Sequence, residues 1–189
     1  MRIENLSFGY GNKYIFRDFY AETESGIICI MGPSGCGKTT LLHLMAGLLK
    51  PGSGRITGFP EKRSLMFQED RLLPWLDARS NVALVLGEKD DPDLPVKLLG
   101  ELGIDPGMDI RSMSGGMRRR VALARALAFD SEALLLDEPF KGLDEKLRLE
   151  VIGYIRKYAK GKTVLCVTHE PEDAERLGGK NIEMEQISE

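Results

Sequence analysis

The segment from residue 32 to residue 39 constrains the fold of this chain most. It reads Gly-Pro-Ser-Gly-Cys-Gly-Lys-Thr and lies between the apolar run Ile27–Met31 and a stretch at 38–49 whose apolar residues recur at helical spacing. A glycine-rich turn between a buried strand and a helix directs several backbone N–H groups towards one point, where they can bind phosphate. The sequence therefore predicts a phosphate-binding loop that ends with the Lys38 ammonium and the Thr39 hydroxyl.

Two further apolar runs end in polar residues. The run 133–136 leads directly into Asp137 and Glu138, and the run 163–168 ends at His169. Segments with helical periodicity alternate with these runs, which favours a parallel sheet covered by helices. Because ligands gather at the carboxyl ends of parallel strands, we expect the two acids and the histidine to lie near the phosphate loop.

The remaining regions complete an α/β domain. Alternating apolar and polar residues around a turn at Gly11 predict antiparallel strands at the N-terminus. The stretch 69–129 has scattered prolines and apolar residues that suit short helices. We predict a single domain over residues 1–189, with a core formed by 1–68 and about 130–189 and an inserted helical lobe at about 69–129.

Charge and composition argue against several classes of protein. The net charge of the 189 residues is −3, so we predict no nucleic acid partner. The longest apolar stretch, 41–49, is less than half of the roughly 20 residues that cross a bilayer, and Glu4 lies where a signal peptide would be apolar. Three cysteines without metal-type spacing agree with a reducing compartment. We therefore expect a cytoplasmic protein.

The acidic pair adds the chemistry that a phosphate loop alone lacks. Adjacent residues of a strand point to opposite faces, so Asp137 and Glu138 can take different roles. We predict that Asp137 and Thr39 hold Mg²⁺, and that Glu138 polarises a water for attack on the terminal phosphate. The alternative is an acidic strand end that simply faces solvent.

A second surface suited to phosphate lies at residues 114–116. Ser114 precedes a segment with a helical pattern and is a suitable N-cap, while Gly115 and Gly116 permit close approach of the backbone. The positive end of a helix dipole adds to the attraction for an anion. A phosphate loop occurs in kinases, GTPases and ATPases alike. The second phosphate-binding surface narrows the choice among these classes of enzyme.

With these motifs in this order, the chain resembles the ABC ATPases over nearly its whole length. Tyr10 corresponds to the adenine-stacking aromatic residue, residues 32–39 to the Walker A loop and Gln68 to the Q-loop glutamine. Residues 114–116 correspond to the signature, and residues 134–138 to the Walker B strand with the catalytic base. Residues 142–144 correspond to the D-loop, and His169 to the switch histidine. The resemblance implies a P-loop NTPase fold of the ABC type.

The resemblance also implies ATP and Mg²⁺ as ligands. The predicted catalytic residues are Glu138, His169 and Lys38. The predicted Mg²⁺ ligands are Thr39, Gln68 and Asp137. The predicted ATP contacts are Tyr10, Gly32, Pro33, Ser34, Gly35, Cys36, Gly37, Lys38, Thr39, Thr40, Gln68, Ser114, Gly115 and Gly116. Taken alone, Tyr10 can also be an ordinary strand aromatic, and Gln68 a solvated amide at a strand end.

Partners follow from the resemblance as well. In the family, the signature of one subunit completes the phosphate site of another, so we expect a second copy or a homologous ATPase subunit. An integral membrane permease is the other expected partner, which would hold the protein at the inner face of the cell membrane. Residues 67–69 and 72–75 are similar to the corresponding segments of the importers of nitrate, sulfonate and taurine. The alternatives are a soluble ABC-type ATPase that is not coupled to transport and a module that senses ATP without hydrolysing it.

Two positions depart from the family pattern. Met117 occupies the place where the signature usually has glutamine, so we expect weakened or retuned turnover. Phe140 and Lys141 precede the D-loop where small or polar residues are common, which leaves the packing of that loop open. After His169 we predict a helix and a final strand, 182–187.

Several residues also allow a structural interpretation. His43 lies within an apolar helical segment and is interpreted as a packing or surface residue. We interpret the run 118–120, three arginines, as a solvated helix face, with one arginine able to brace a dimer interface. Cys36 either lines a ligand site or is a small residue that fits the loop. The apolar segment 71–76 either docks a helix of the permease or forms a local core of the lobe.

Overall fold

Two separate sheets organise the chain in the computed structural model, which describes residues 1–185. The strands in this range are β1 (Arg2–Tyr10), β2 (Lys13–Glu22), β3 (Ile27–Met31), β4 (Ser53–Thr57), β5 (Arg63–Met66), β6 (Ala133–Asp137), β7 (Thr163–Val167) and β8 (Lys180–Glu183). The helices are α1 (Lys38–Met45), α2 (Ala78–Ala83), α3 (Leu94–Glu101), α4 (Gly115–Ala128), α5 (Glu145–Tyr158) and α6 (Pro171–Leu177). A 3-10 turn, Ile110–Ser112, precedes α4.

The first sheet is antiparallel and has the order β2-β1-β4. β1 and β2 are joined by a two-residue turn in which Gly11 takes the left-handed conformation that such turns require (φ 57°). Ile3 and Leu6 of β1 and Phe16 of β2 are buried. Ile3 and Leu6 are an odd number of residues apart, and the irregular pairing between them, where Asn5 has a φ of 49°, allows both to face the core. The predicted N-terminal antiparallel region is confirmed.

The second sheet is parallel, with the order β5-β6-β7-β3-β8. Every residue of β6 and β7 is buried, as expected for strands covered on both faces. Alternate residues of β6 enter different hydrophobic clusters: Leu134 and Leu136 pack with α2, α3 and α4, whereas Leu135 packs with α1 and the first sheet. The sheet is therefore the middle layer, and its carboxyl edge carries the polar residues described below.

The ends of several helices confirm or correct the sequence prediction. Ser114 caps α4 as predicted, since its Oγ accepts a hydrogen bond from the Met117 N–H at 3.2 Å. α1 ends at Met45 and not at residue 49, because Gly47 takes a left-handed conformation (φ 77°) and its N–H donates to the Leu44 carbonyl.

The C-terminal part of the chain also differs from its prediction. The helix after His169 is confirmed as α6, but the strand that follows begins earlier than expected, at Lys180. β8 ends at Glu183, and residues 186–189, on which part of the predicted strand falls, lie outside the described residues. Among the helices of residues 1–185, none combines the length and the apolar character that crossing a bilayer requires.

Candidate active site

The glycine-rich loop connects β3 to α1 and encloses the Lys38 side chain. Lys38 is buried, and its Nζ donates hydrogen bonds to the carbonyl oxygens of Gly32 at 2.7 Å and Pro33 at 2.8 Å. Gly37 precedes the helix in a left-handed conformation (φ 101°), and a Cβ on it would lie 2.5 Å from the Ile15 side chain. Only glycine fits there, because both the backbone angle and the close approach of β2 exclude a side chain.

A polar cavity of about 280 Å³ opens in front of this loop. It brings together most of the predicted site residues with one that the sequence did not indicate, Ile15. The lining residues are Ile15, Ser34, Gly35, Gly37, Lys38, Thr39, Thr40, Gln68, Glu138 and His169. Residues from the ends of β3, β5, β6 and β7 thus meet at the same edge of the sheet, as parallel strands predict.

Asp137 ends β6 beside the loop. Its Oδ2 accepts a hydrogen bond from the Thr39 hydroxyl at 2.8 Å, while its Oδ1 is buried without a hydrogen-bond partner among the described residues. Burial raises the pKa of the Asp137 carboxyl, although the Thr39 hydroxyl opposes this shift. A buried carboxylate with a free oxygen next to a threonine hydroxyl is a donor set that suits Mg²⁺.

Glu138 lies next to Asp137 in a left-handed conformation (φ 50°), which is uncommon for a residue with a side chain. Its Oε1 lies 2.7 Å from His169 Nε2, and its Oε2 accepts a hydrogen bond from Gln68 Nε2 at 3.3 Å. The Lys141 ammonium lies 3.5 Å from the same Oε2. Three side chains from three segments therefore hold this carboxylate at the cavity wall.

The charge state of Glu138 depends on opposing effects. Burial raises the pKa of Glu138, but the hydrogen bond and charge of His169 and the ammonium of Lys141 outweigh it, so that the pKa lies below the usual value for glutamate. The carboxylate is ionised at neutral pH, and it is available as a proton acceptor.

The substitution Lys141→Gln is expected to shift the acid limb of kcat/KM for ATP hydrolysis to higher pH. Without the ammonium, the pKa of Glu138 rises, so this carboxylate, the predicted base, is protonated over more of the acidic range. Because Lys141 is exposed, the plateau rate should change by less than about twofold. Lys146→Gln removes the same charge without removing a partner of Glu138, so it should leave the pH profile of kcat/KM unchanged. Coincident profiles for the two variants would contradict this role of Lys141.

Other predicted site residues lie outside the cavity lining. Tyr10 is 53% exposed at the end of β1, where its ring packs edge to face on Phe8. Ser114, Gly115 and Gly116 form the N-terminal turn of α4, and none of them lines the cavity. Their contact with ATP stays a prediction.

Two residues with open alternatives are placed by the structure. The Cys36 side chain is buried, and its Sγ lies 3.9 Å from Lys38 Nζ. Burial agrees with the interpretation as a small residue that fits the loop, and contact of Cys36 with ATP stays a prediction. His43 packs edge to face against Phe67 at 5.9 Å between ring centroids. This agrees with the interpretation of His43 as a packing residue.

Leu72 and Trp75, which follow Gln68, differ in exposure. Leu72 packs against a hydrophobic cluster that α2, α3 and α4 share with β6, whereas Trp75 is 72% exposed. The position of Leu72 agrees with the interpretation of the segment as local core, and docking of a permease helix stays a prediction.

The interpretation of the three arginines as a solvated helix face is wrong for Arg119. Its side chain is 5% exposed, and its guanidinium contacts the ends of β5 and β6. The reason is the orientation of α4, in which Arg119 shares a face with buried Ala122 and Leu123. Apolar residues lie three and four positions after each of the three arginines, so the sequence pattern does not single out Arg119.

Comparison with known proteins identifies the family. Residues 21–141 match the family model described as ABC transporter. The chain belongs to the ABC transporter family. The taurine import ATP-binding protein TauB of Roseobacter denitrificans is 39% identical over 97% of this chain and 77% of its own length. The aliphatic sulfonates import ATP-binding protein SsuB 3 of Paraburkholderia xenovorans is 38% identical over 96% of this chain and 75% of its own length.

Solved ABC structures share the fold. The dimeric structure of MJ0796, a bacterial ABC transporter cassette, superimposes with a TM-score of 0.84 at 26% identity, covering 97% of this chain and 94% of that one. A dimeric post-hydrolysis state of MJ0796 bound to ADP and Pi matches with the same score and covers 99% of this chain and 96% of that one. The predictions of an ABC cassette fold and of an ABC-type ATPase subunit are confirmed.

Proposed function

We propose that this ABC subunit hydrolyses ATP in the cavity described above and thereby powers an importer of taurine or a related aliphatic sulfonate. The observation that carries the ATPase assignment is the convergence of Lys38, Gln68, Glu138 and His169 on one cavity in front of the phosphate loop. The importer assignment rests on the relatives TauB and SsuB 3. We further propose that residues 1–189 form one domain with the lobe at about 69–129, because lobe helices and β6 share a hydrophobic cluster.

The loop binds the phosphates of ATP. Its backbone N–H groups and the N-terminus of α1 provide positive potential, and Lys38 adds a full charge next to the β- and γ-phosphates. The hydrogen bonds of Lys38 to the Gly32 and Pro33 carbonyls keep its ammonium inside the loop. Thr39, Gln68 and Asp137 would hold Mg²⁺, and the ion would supply charge neutralisation. Outside this cavity, Tyr10 stacks on adenine in this proposal.

Glu138 is the general base. Its carboxylate accepts a proton from the water that attacks the γ-phosphorus, while the bond from that phosphorus to the β-γ bridging oxygen breaks and ADP leaves. His169 holds Glu138 through the 2.7 Å contact and stands beside the position of the γ-phosphate. Gln68 adds a second hydrogen bond, so the carboxylate has little freedom to rotate.

The site is completed by a second copy. Ser114, Gly115 and Gly116 offer a hydroxyl, two small residues and a helix N-terminus, yet they do not line the cavity of their own chain. The solved MJ0796 cassettes are dimeric. In a head-to-tail dimer, these residues would provide the donors that the cavity lacks on its open side.

A transport assay tests the whole proposal. The subunit should be co-expressed with its membrane permease in vesicles and supplied with ATP and Mg²⁺ inside and labelled taurine outside. Uptake that requires ATP and stops with Lys38→Ala would support the proposal. Hydrolysis without uptake of taurine or other aliphatic sulfonates would leave an ATPase and contradict the assignment of cargo.

Trp75 is the proposed contact with the permease. Exposed tryptophans concentrate binding energy at interfaces. Trp75 is exposed and lies seven residues after Gln68 in the sequence. Trp75→Glu should therefore weaken co-purification with the permease by about tenfold or more, whereas the hydrolysis rate of the isolated subunit should stay within about twofold. Leu149→Glu changes another exposed apolar residue, on α5, and is the matched control. Equal recovery of the two variants with the permease would argue against this docking site.

A further inference from the structure

Arg119 carries a set of contacts that neither the motifs nor the relatives' names explain. It lies on α4, after the 114–116 turn, and its side chain is 5% exposed. All three nitrogens of its guanidinium donate hydrogen bonds. The acceptors are the Glu138 carbonyl (3.2 Å from Nε and 2.7 Å from Nη2), the Phe67 carbonyl (2.9 Å from Nη1), the Gln68 carbonyl (2.8 Å from Nη1), Asp70 Oδ1 (3.1 Å from Nη1) and the Asp137 carbonyl (from Nη2).

These contacts connect two strand ends to the signature helix. The Phe67 and Gln68 carbonyls follow β5, and the Asp137 and Glu138 carbonyls lie at and after the end of β6. A guanidinium is planar and presents its donors in a rigid fork, so it holds the two strand ends at one separation. A lysine ammonium at the same place could not span both groups of acceptors with a fixed geometry.

We propose that Arg119 is a positioning residue for ATP hydrolysis. It fixes the backbone of Gln68 and Glu138 relative to each other and to α4, so that the two side chains meet at 3.3 Å in the cavity. Glu138 depends on such support, because its left-handed backbone conformation is uncommon for a residue with a side chain. The inference rests on the proposed role of Glu138 as the base.

The neighbouring arginines of α4 provide matched comparisons. Arg120 donates to the carbonyls of Leu102 at 2.6 Å and Gly116 at 3.4 Å, and both acceptors belong to the lobe. Arg125 donates to the carbonyls of Asp70 and Arg71, after the glutamine segment, but makes no bond with Glu138 among those described. Arg119 is therefore the arginine of α4 that reaches both strand ends in the described structure.

The test compares Arg119→Lys and Arg119→Gln with Arg120→Gln in the full chain. For each variant, steady-state phosphate release yields kcat and KM, a fluorescent ATP analogue yields Kd, and thermal unfolding establishes that the protein is folded at the assay temperature. A misplaced base slows chemistry, so we expect both Arg119 variants to lose about 10- to 100-fold in kcat with KM and Kd within about threefold. Arg120→Gln should keep kcat within about twofold. Similar losses of kcat in all three variants, or a rise in KM alone, would overturn the inference.

A double-mutant cycle separates positioning from general stability. If Arg119 acts through Glu138, then Arg119→Gln should cause little further loss in a Glu138→Gln background, measured by single-turnover hydrolysis. Losses that multiply would show that the two residues act independently. Retained activity of Glu138→Gln alone would instead contradict the proposed function, so the two failures are distinguishable.

Asp70→Asn offers a milder probe if the Arg119 variants do not fold. It removes the one carboxylate partner of Arg119 and leaves the carbonyl acceptors in place. We expect a loss of about two- to fivefold in kcat at unchanged KM. A wild-type kcat in Asp70→Asn, with the Arg119 variants unfolded, would mean that Arg119 serves stability and would overturn the proposal.

Discussion

Replacing Glu138 with glutamine is expected to slow ATP hydrolysis by about 10³-fold while ATP binding is retained. Glutamine has nearly the shape of glutamate and can still contact His169 and Gln68, but its amide cannot accept the proton of the attacking water. The phosphate loop is unchanged by this substitution, so the Kd for ATP should stay within about threefold.

The measurement combines phosphate release with the oligomeric state. Because the γ-phosphate persists in this variant, the protein should elute as a dimer in gel filtration with ATP and Mg²⁺, whereas the native protein returns to monomers after hydrolysis. Glu145→Gln is the matched control, since Glu145 is an exposed acid at the start of α5 whose partner is Arg176. Equal hydrolysis rates for the native protein and Glu138→Gln would remove Glu138 from the mechanism.

Most of the fold could be predicted because its signals are local. The continuous apolar runs of β3, β6 and β7 require burial on both faces, and their alternation with amphipathic helices leaves a parallel sheet as the simple solution. Once the sheet is parallel, its topology places residues from distant parts of the sequence at one edge. That is why Glu138 and His169 could be assigned near the phosphate loop without any contact being known, whereas Gln68 was assigned through the resemblance to the ABC ATPases.

Other features depend on packing between elements, and the sequence pattern did not show them. Arg119 belongs to a run of three arginines, and its burial became clear only when α4 was seen to lie against the ends of β5 and β6. Ile15 enters the cavity because the antiparallel sheet approaches Gly37 closely, a contact between two separately predicted regions. Lys141 was noted as a departure from the family pattern, but its proximity to Glu138 follows from the turn after β6.

The groups that stabilise the γ-phosphate during transfer come from several elements of the fold. A charge that develops on the γ-phosphate in transfer needs donors on more than one side. Within one chain, Lys38 and the loop N–H groups approach from the side of α1, and Glu138 and His169 contribute from the ends of β6 and β7. Ser114, Gly115 and Gly116 do not line this cavity, so in the proposed mechanism an isolated subunit has only part of the arrangement.

Mixing two inactive variants should therefore restore hydrolysis. In a dimer of Lys38→Ala with Ser114→Arg, one site combines both defects, while the other combines an intact Lys38 with an intact Ser114 of the other copy. Each variant alone should lose about 100-fold or more, because either the phosphate charge or the facing donor is missing from every site. An equimolar mixture should recover up to about one quarter of the native rate, since half of the dimers are mixed and each has one intact site.

In the control for this complementation, both chains of the dimer carry Lys38→Ala. A mixture of Lys38→Ala with the double variant Lys38→Ala/Ser114→Arg contains no intact site and should stay inactive, although it forms the same dimers. If Ser114 instead served the cavity of its own chain, no mixture of the two single variants could assemble a complete site. Phosphate release that stays at the level of the separate variants, with mixed dimers shown by differently tagged chains, would therefore contradict the shared-site mechanism. Recovery in the first mixture and not in the second would place Lys38 and Ser114 of different copies on the same ATP.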